Sequence, residues 1–491
     1  MKLNQLIFLL LFIGLFSCQN SKDIIVIHGK IVGKIPEKVE YTSPIHGICN
    51  WYFTKSVRPD SLGIFQIDIE SNKAIFIKMR TSYDVQGTLI AEPGKTYDVR
   101  FDLDNKAKAF SVTDKSAFVQ EIYNKLPNPV HIQIGAREFF RDTVASKIKE
   151  TIEQKRTTEI AEFEHLFSNK MISQGVFDLV KTDRNCYYDA ILATIAWIKD
   201  LMTIQGGEKV FTKEFENLWK VTFKQPLVLN NEIVRSPWLN FYAESYIYFK
   251  EYMNGNFTKE KLEEINKSGQ IKTYRVHVAK EYLPTEIQED YIANYLYDES
   301  SQEKYEKELI KLFGDFKSDY PESKYIPYIS PLIDEIIEFH KVSDSEFNKN
   351  IKFVDKYQNL NSLTDIAKSF PKGRIYTDVW ATWCGPCKAE FKHKEELKKL
   401  LEKKNIRILY ISIDREQDSI QWKNMIKFYN LEGYHIRANK QLEAELRKIF
   451  DNNGSISIPW YILIDNDGNI LRRHAKQPSQ INELEKEINE I

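Results

Sequence analysis

Residues 383–387 read Trp383-Cys384-Gly385-Pro386-Cys387, preceded by an apolar, β-favouring stretch at 374–380. Two cysteines at that spacing, between a strand and a helix, form a dithiol that can open and close as a disulfide. A helix beginning near Cys384 gives its sulfur unpaired backbone N–H groups and the positive dipole end, both of which stabilise a thiolate. Cys384 is therefore the expected nucleophile. Cys387, one turn further on, is placed to attack a mixed disulfide on Cys384 and release the partner reduced. Gly385 and Pro386 suit the turn, because proline at a first helical position gives up no N–H bond. A zinc half-site would use the same pair, but zinc needs about four ligands. No second cysteine pair or paired histidine accompanies this one, and the nine histidines are scattered.

The elements that must hold the dithiol follow from periodicity. Phe391, Leu397, Leu400 and Leu401 recur among Lys and Glu, which predicts an amphipathic helix ending near Lys404. A strand follows at 406–413, helices at 421–429 and 441–450, strands at 460–465 and 470–473 joined by Asn466-Asp467-Gly468-Asn469, and a closing helix at 480–491. That order, βαβα(α)ββα, is a thioredoxin fold. Residues 356–491, a little over a quarter of the chain, resemble the thioredoxin-like domain of TlpA-type thiol-disulfide oxidoreductases.

The resemblance implies several roles. A cis-proline faces the dithiol in that family, and Ile458-Pro459 stands where it would fall. Such a bond presents backbone to an incoming peptide, so Trp383, Gly385, Pro386, Ile458 and Pro459 are the expected substrate-contacting residues, and isoleucine before the proline goes with reductases more than with oxidases. Asp378, six residues before Cys384 and inside the strand, is in the position of the buried carboxylate that takes the proton of the second cysteine. Glu390, three residues after Cys387, matches the glutamate placed beside the dithiol. Burial raises a carboxylate's pKa toward neutrality, as proton transfer with a thiol requires. A solvated helix face is the plainer reading of Glu390. One residue departs from the pattern: Lys392 stands where many relatives carry a helix-kinking proline, so the helix is expected to run straighter. No metal or organic cofactor is implied. Electrons would come from a membrane thiol donor, as in related reductases that serve cytochrome c maturation.

At the other end, Met1-Lys2 precedes an apolar run at 6–16 and then Ser17-Cys18. The run is too short to span a bilayer, which takes ~20 helical residues, and predicts a signal peptide over 1–17. Leu15-Phe16-Ser17-Cys18 resembles a lipobox, in which Cys18 is lipidated and cleavage falls before it. Phe16 is bulkier than usual there, which leaves a plain signal peptide with an incidental cysteine as the alternative. Gln19 is not the aspartate of an inner-membrane retention signal, so the expected location is the periplasmic side of the outer membrane.

Lys plus Arg number 69 against 70 Asp plus Glu, a net charge of -1, so no polybasic surface argues for nucleic acid. Five cysteines in 491 residues rule out a disulfide scaffold, and Cys49 and Cys186, set among aromatics, read as buried thiols. Phe65, Ile67 and Ile69, and later Tyr97, Val99, Phe101 and Leu103, alternate with polar residues. This predicts an N-terminal antiparallel β-sandwich over 23–108. Residues 109–355 change to a helical period. Their aromatics (Trp238, Phe241, Tyr242, Tyr246, Tyr248, Phe249) could line a peptide groove, but such a stripe more often forms core.

The expected architecture is therefore multidomain: β-sandwich, central α-helical region and C-terminal α/β thioredoxin fold. The expected activity is reduction or exchange of disulfides in envelope proteins. Two other classes stand beside it. One is an envelope binding lipoprotein with the dithiol as a redox-controlled latch. The other is a peroxiredoxin-like thiol peroxidase, which would want threonine three residues before its reactive cysteine, where this chain has Ala381.

Overall fold

The computed structural model describes residues 23–491 apart from 51, 83, 106–107, 207–208, 225–235 and 451–453. Two compact units divide the chain, Met1–Ile292 and Ala293–Ile491. The predicted signal peptide and Cys18 lie outside the described residues.

In the first unit, strands β1 (Ile24–Val32), β2 (Val39–Thr42), β3 (Thr54–Val57), β4 (Ile64–Glu70), β5 (Ile75–Ser82), β6 (Val85–Ala91), β7 (Thr96–Asp102) and β8 (Phe110–Val112) form two sheets. Their orders are β4-β1-β7-β8 and β3-β2-β5-β6. Alternation decides the inward faces: Ile25, Ile27, Phe65, Ile67, Val99 and Phe101 from one sheet meet Val39, Ile75, Ile77, Met79 and Leu89 from the other in one core. The pairing is not purely antiparallel as the sequence predicts, since β1 pairs β4 antiparallel but β7 in parallel. Sheet neighbours here are far apart along the chain, and period-two alternation is blind to strand direction. β8 also carries the sheet past the expected limit of 108.

Helices α1 (Ala117–Lys125), α2 (Ile132–Ala136), α3 (Ala145–Ser168), α4 (Gln174–Gly206), α5 (Lys213–Thr222), α6 (Leu239–Met253), α7 (Lys259–Ser268) and α8 (Ile271–Tyr282) follow. Trp238, Tyr246 and Phe249 are buried, while Phe241, Tyr242 and Tyr248 are half-buried. Cys49 and Cys186 are buried and free. Among the described residues no helix is long and apolar enough to cross a membrane.

The division between units falls inside α9 (Thr285–Ser301). Beyond it come α10 (Glu308–Asp319), α11 (Ile326–Ser343), β9 (Ile351–Phe353), α12 (Leu363–Lys368), β10 (Ile375–Trp380), α13 (Gly385–Glu390), α14 (Lys394–Lys403), β11 (Arg407–Ser412), α15 (Ser419–Phe428), β12 (Gly433–Arg437), α16 (Lys440–Phe450), β13 (Trp460–Ile464), β14 (Ile470–Arg472) and α17 (Ile481–Asn489). The six-stranded sheet runs β14-β13-β10-β11-β12-β9. Two of these strands do not appear in the sequence reading. β12 alternates poorly, and β9 is only three residues long, yet β9 pairs in parallel with β12. The sheet therefore starts ahead of residue 356, the expected boundary.

β10 is central and buried at all six positions, as a strand covered on both faces must be. The helix after the dithiol does not run straight. α13 ends at Glu390, a 3-10 turn occupies Phe391–His393, and α14 resumes at Lys394, although Lys392 replaces the kinking proline. The tight turn coincides with insertion of Phe391 among Trp380, Tyr410 and Tyr429, at ring-centroid distances of 5.3, 6.3 and 5.2 Å. Packing, not proline, sets the break. Phe391→Ala should therefore cost about 3–5 kcal/mol, read as faster hydrogen exchange of the β10 amides; protection equal to the parent chain would show that Phe391 does not anchor the helix.

Candidate active site

β10 delivers the site. Its end, Trp380, leads through Ala381 and Thr382 to Trp383, which is 63% exposed, and then to Cys384, which caps α13. Cys384 and Cys387 are bonded to one another, with Cα atoms 5.3 Å apart. The Cys387 amide donates to Cys384 Sγ at 3.1 Å, so a free first-turn donor of the helix is already aimed at that sulfur. Cys384 is almost covered and Cys387 fully buried, whereas Gly385 and Pro386 are exposed beside them. This asymmetry leaves the Cys384 side of the pair nearer to solvent.

The proline loop arrives at the same edge of the sheet. β13 pairs antiparallel with β10, with Trp460 opposite Val379, so the preceding Ile458-Pro459 lies level with the end of β10 from which Cys384 departs. The Ile458–Pro459 bond is cis and both residues are half-buried.

Asp378 lies within β10 and is 2% exposed. By strand alternation it shares a face with Tyr376, which packs with Leu397, Leu400 and Leu401 of α14, and with Trp380, which packs on Phe391. The carboxyl therefore faces the layer formed by α13 and α14. Its register partners are Tyr410 on β11 and Tyr461 on β13. Asp378 Oδ1 has no hydrogen-bond partner, and neither has the buried Tyr461 hydroxyl. Burial without compensation pushes the Asp378 pKa well above its ordinary value, and the negative charge of Glu390 pushes it further the same way.

Glu390 does not stand free beside the dithiol. Its two oxygens accept from the Ser479 amide at 2.9 Å and the Ser479 hydroxyl at 3.0 Å, which ties the end of α13 to the turn before α17. Three further residues escape the sequence reading. Asp414, just past β11, accepts from the Thr382 amide at 3.0 Å, the Thr382 hydroxyl at 2.7 Å and the Ser412 hydroxyl at 2.7 Å, fixing the loop two residues ahead of Cys384. Burial raises its pKa, and those hydrogen bonds oppose the rise. Lys388, directly after Cys387, has a buried side chain paired with Glu303 at 2.9 Å. Only an aspartate closing a strand marked Asp414 in the sequence, and Glu303 carried no mark at all.

Residues 343–488 match the family model described as Redoxin. The C-terminal part of this chain is a TlpA-like Redoxin domain. Among curated proteins it is similar to the thiol-disulfide oxidoreductase ResA of Bacillus thuringiensis subsp. konkukian, 29% identical over 123 residues, covering 25% of this chain and 66% of that protein. ResA of Bacillus anthracis is 29% identical over 103 residues, covering 21% of this chain and 55% of ResA. The chain thus spans just under two thirds of the ResA relatives at most. Among solved structures, a Bacteroides vulgatus protein provisionally assigned as a thiol-disulfide oxidoreductase is 31% identical, with 25% of this chain and 76% of that one covered and a TM-score of 0.22.

The buried acid of the Redoxin domain carries a pH signature. Because the folded-state pKa of Asp378 lies above the ordinary value, the fold is favoured while the group is protonated, and this share of stability is lost as pH rises from 3.8 through the raised value. Asp378→Asn should raise the melting temperature at pH 8, with a gain that shrinks toward pH 4, where both side chains are neutral. A gain independent of pH would mean that charge burial is not its source.

Proposed function

We propose that this chain is an exported thiol-disulfide oxidoreductase acting on disulfides of envelope proteins, tethered to a membrane through Cys18. The observation that carries the reading is the bonded Cys384–Cys387 pair at the start of α13, just past the strand that buries Asp378 with its Oδ1 unpartnered. In the reduced protein the Cys384 thiolate attacks one sulfur of a substrate disulfide. The other substrate sulfur leaves with the electron pair of the broken bond and takes up a proton. Cys387 then gives its proton to Asp378 and attacks Cys384 Sγ, which forms the Cys384–Cys387 disulfide and expels the second substrate sulfur. Two electrons pass to the substrate in each cycle. A membrane thiol donor would restore the dithiol, and a place in cytochrome c maturation is part of the proposal.

Each residue contributes a distinct element. An ordinary cysteine, with a pKa near 8.5, is only a few per cent thiolate at neutral pH, so the helix start favours attack by Cys384 and a nearby base favours resolution by Cys387. Trp383, Gly385 and Pro386 offer exposed surface next to the sulfurs, and Ile458-Pro459 offers backbone at the same edge. Glu390, held by Ser479, serves as a fixed negative charge behind Asp378.

The order of attack is testable by trapping. Cys387→Ser should accumulate mixed disulfides with envelope proteins while Cys384→Ser should not, read on non-reducing gels with identification of the captured chains. Equal capture by both variants, or by neither, would remove this assignment of roles. Anchoring has its own test. Cys18→Ala should move the mature protein from the membrane to the soluble fraction and leave disulfide reduction in vitro unchanged; continued membrane retention would assign the tether to something other than lipid.

A further inference from the structure

The segment between α9 and α10 lies against the catalytic helix. Residues 302–307 carry no regular structure, and two of them, Glu303 and Tyr305, adopt left-handed backbone with φ of 51° and 55°. Side chains rarely accept that conformation, and it persists where the surroundings over-determine it. Here they do. The Tyr305 ring stacks on Phe339 at 4.3 Å, its hydroxyl meets Glu335 at 3.0 Å and Tyr429 at 2.7 Å, and its carbonyl accepts from His340 Nε2 at 2.8 Å. Gln421 on α15 donates to the Lys304 carbonyl at 3.0 Å.

The result of this pinning is the placement of one carboxylate. Lys388 Nζ meets the Glu303 carboxylate at 2.9 Å and its carbonyl at 3.2 Å, with the Gln302 carbonyl at 3.5 Å. The Lys388 side chain is 3% exposed and that of Glu303 is 39% exposed. Lys388 lies four residues, about one helical turn, after Cys384, and its amide donates to the Cys384 carbonyl at 3.2 Å. The charged or titratable groups on α13 and the elements adjoining it are Tyr376 and Asp378 on β10, Arg407 and Tyr410 on β11 with Asp414 after it, Lys388 and Glu390 on α13 itself, Lys392 and His393 in the turn that follows, and Glu303, Lys304, Tyr305, Glu306 and Lys307 on the strap. Lys388 is the buried cation of this set, while Lys304, Lys307 and Lys392 are exposed. A lysine beside a cysteine stabilises its thiolate, and a carboxylate on that lysine cancels much of the effect.

We propose that Glu303 and Lys388 form a positioning pair in which the 302–307 strap sets the acidity of Cys384, and with it the redox poise of the dithiol. The proposal rests on the disulfide-exchange reading of the same site. With Glu303 in place the field of Lys388 is partly neutralised, which keeps the Cys384 thiol less acidic and its disulfide harder to reduce. Removing the carboxylate charge leaves Lys388 acting on the thiolate alone and stabilises the reduced form. The linked equilibrium is the exchange of the protein disulfide with two glutathione thiols, which yields the dithiol and one glutathione disulfide. Two electrons move to the protein and the proton balance follows the ionisation of Cys384, so a lower thiol pKa shifts the exchange toward the dithiol.

The experiment uses the full chain, with the Cys384 pKa read from the pH dependence of alkylation and the poise from a glutathione series. Glu303→Gln should lower the Cys384 pKa by roughly half a unit and shift the exchange roughly threefold toward the dithiol, the size expected of a partly exposed ion pair. Lys388→Met should move both readouts the opposite way, Lys388→Arg should stay near the parent chain, and the double variant Glu303→Gln/Lys388→Met should match Lys388→Met alone, since Glu303 acts through the lysine. Unchanged pKa and poise in Glu303→Gln, or shifts of the same sign in Glu303→Gln and Lys388→Met, would overturn the proposal. If the parent chain does not exchange with glutathione at all, the disulfide-exchange reading itself fails, an outcome separate from either.

Discussion

A strand closed in on both faces is the constraint on which the site depends. β10 lies between β11 and β13, with every residue buried, and whatever it carries must accept a dry environment or leave the strand. Its apolar residues accept it at a gain of ~25 cal/mol per Å² removed from water. Asp378 accepts it only with a raised pKa, its Oδ1 having no hydrogen-bond partner there. The same strand ends just ahead of Cys384, so one element both buries the acid and delivers the dithiol. Asp378 and Cys384 are six residues apart and cannot be placed independently.

Around that strand, α13 is held by bonds reaching it from separate segments. Asp414 fixes Thr382 ahead of the helix, Ser479 holds Glu390 at its end, and Glu303 takes the lysine on its flank. Phe391 closes the far end through its ring contacts with Trp380, Tyr410 and Tyr429. A six-residue helix makes few bonds of its own and would be marginal in water, so its position is owed to these partners. Such fixing matters for a dithiol because attack and resolution both require sulfur to approach sulfur closely, and disorder in the turn would cost rate before it cost stability.

The strap gives the residues ahead of the Redoxin domain a part in its chemistry. Left-handed backbone at Glu303 and Tyr305 costs on the order of 1 kcal/mol each, offset by the ring stack and the hydroxyl bonds of Tyr305. What the strain secures is a charge beside Lys388. The Cys-Gly-Pro-Cys sequence leaves redox poise open across proteins with this spacing, and electrostatics around the thiolate is one of the terms that set it.

The sequence alone determined whatever is local. The spacing of Cys384 and Cys387, the apolar run holding Asp378, Pro459 ahead of a strand and the helical period of Leu397, Leu400 and Leu401 each write their signal within a few residues, because turn chemistry and side-chain periodicity act at that range. Tertiary structure decided what depends on residues distant in the chain. The parallel pairing of β1 with β7 and the recruitment of β9 to the edge of β12 come from sheet neighbours that no local period encodes. The break after Glu390 came from the pocket for Phe391, against the straighter helix that Lys392 implied. Asp414 on Thr382, Ser479 on Glu390 and Glu303 on Lys388 join residues 32, 89 and 85 apart. A hydrogen bond or ion pair over that distance leaves no mark on composition or periodicity, and only the packed chain brings its two ends together.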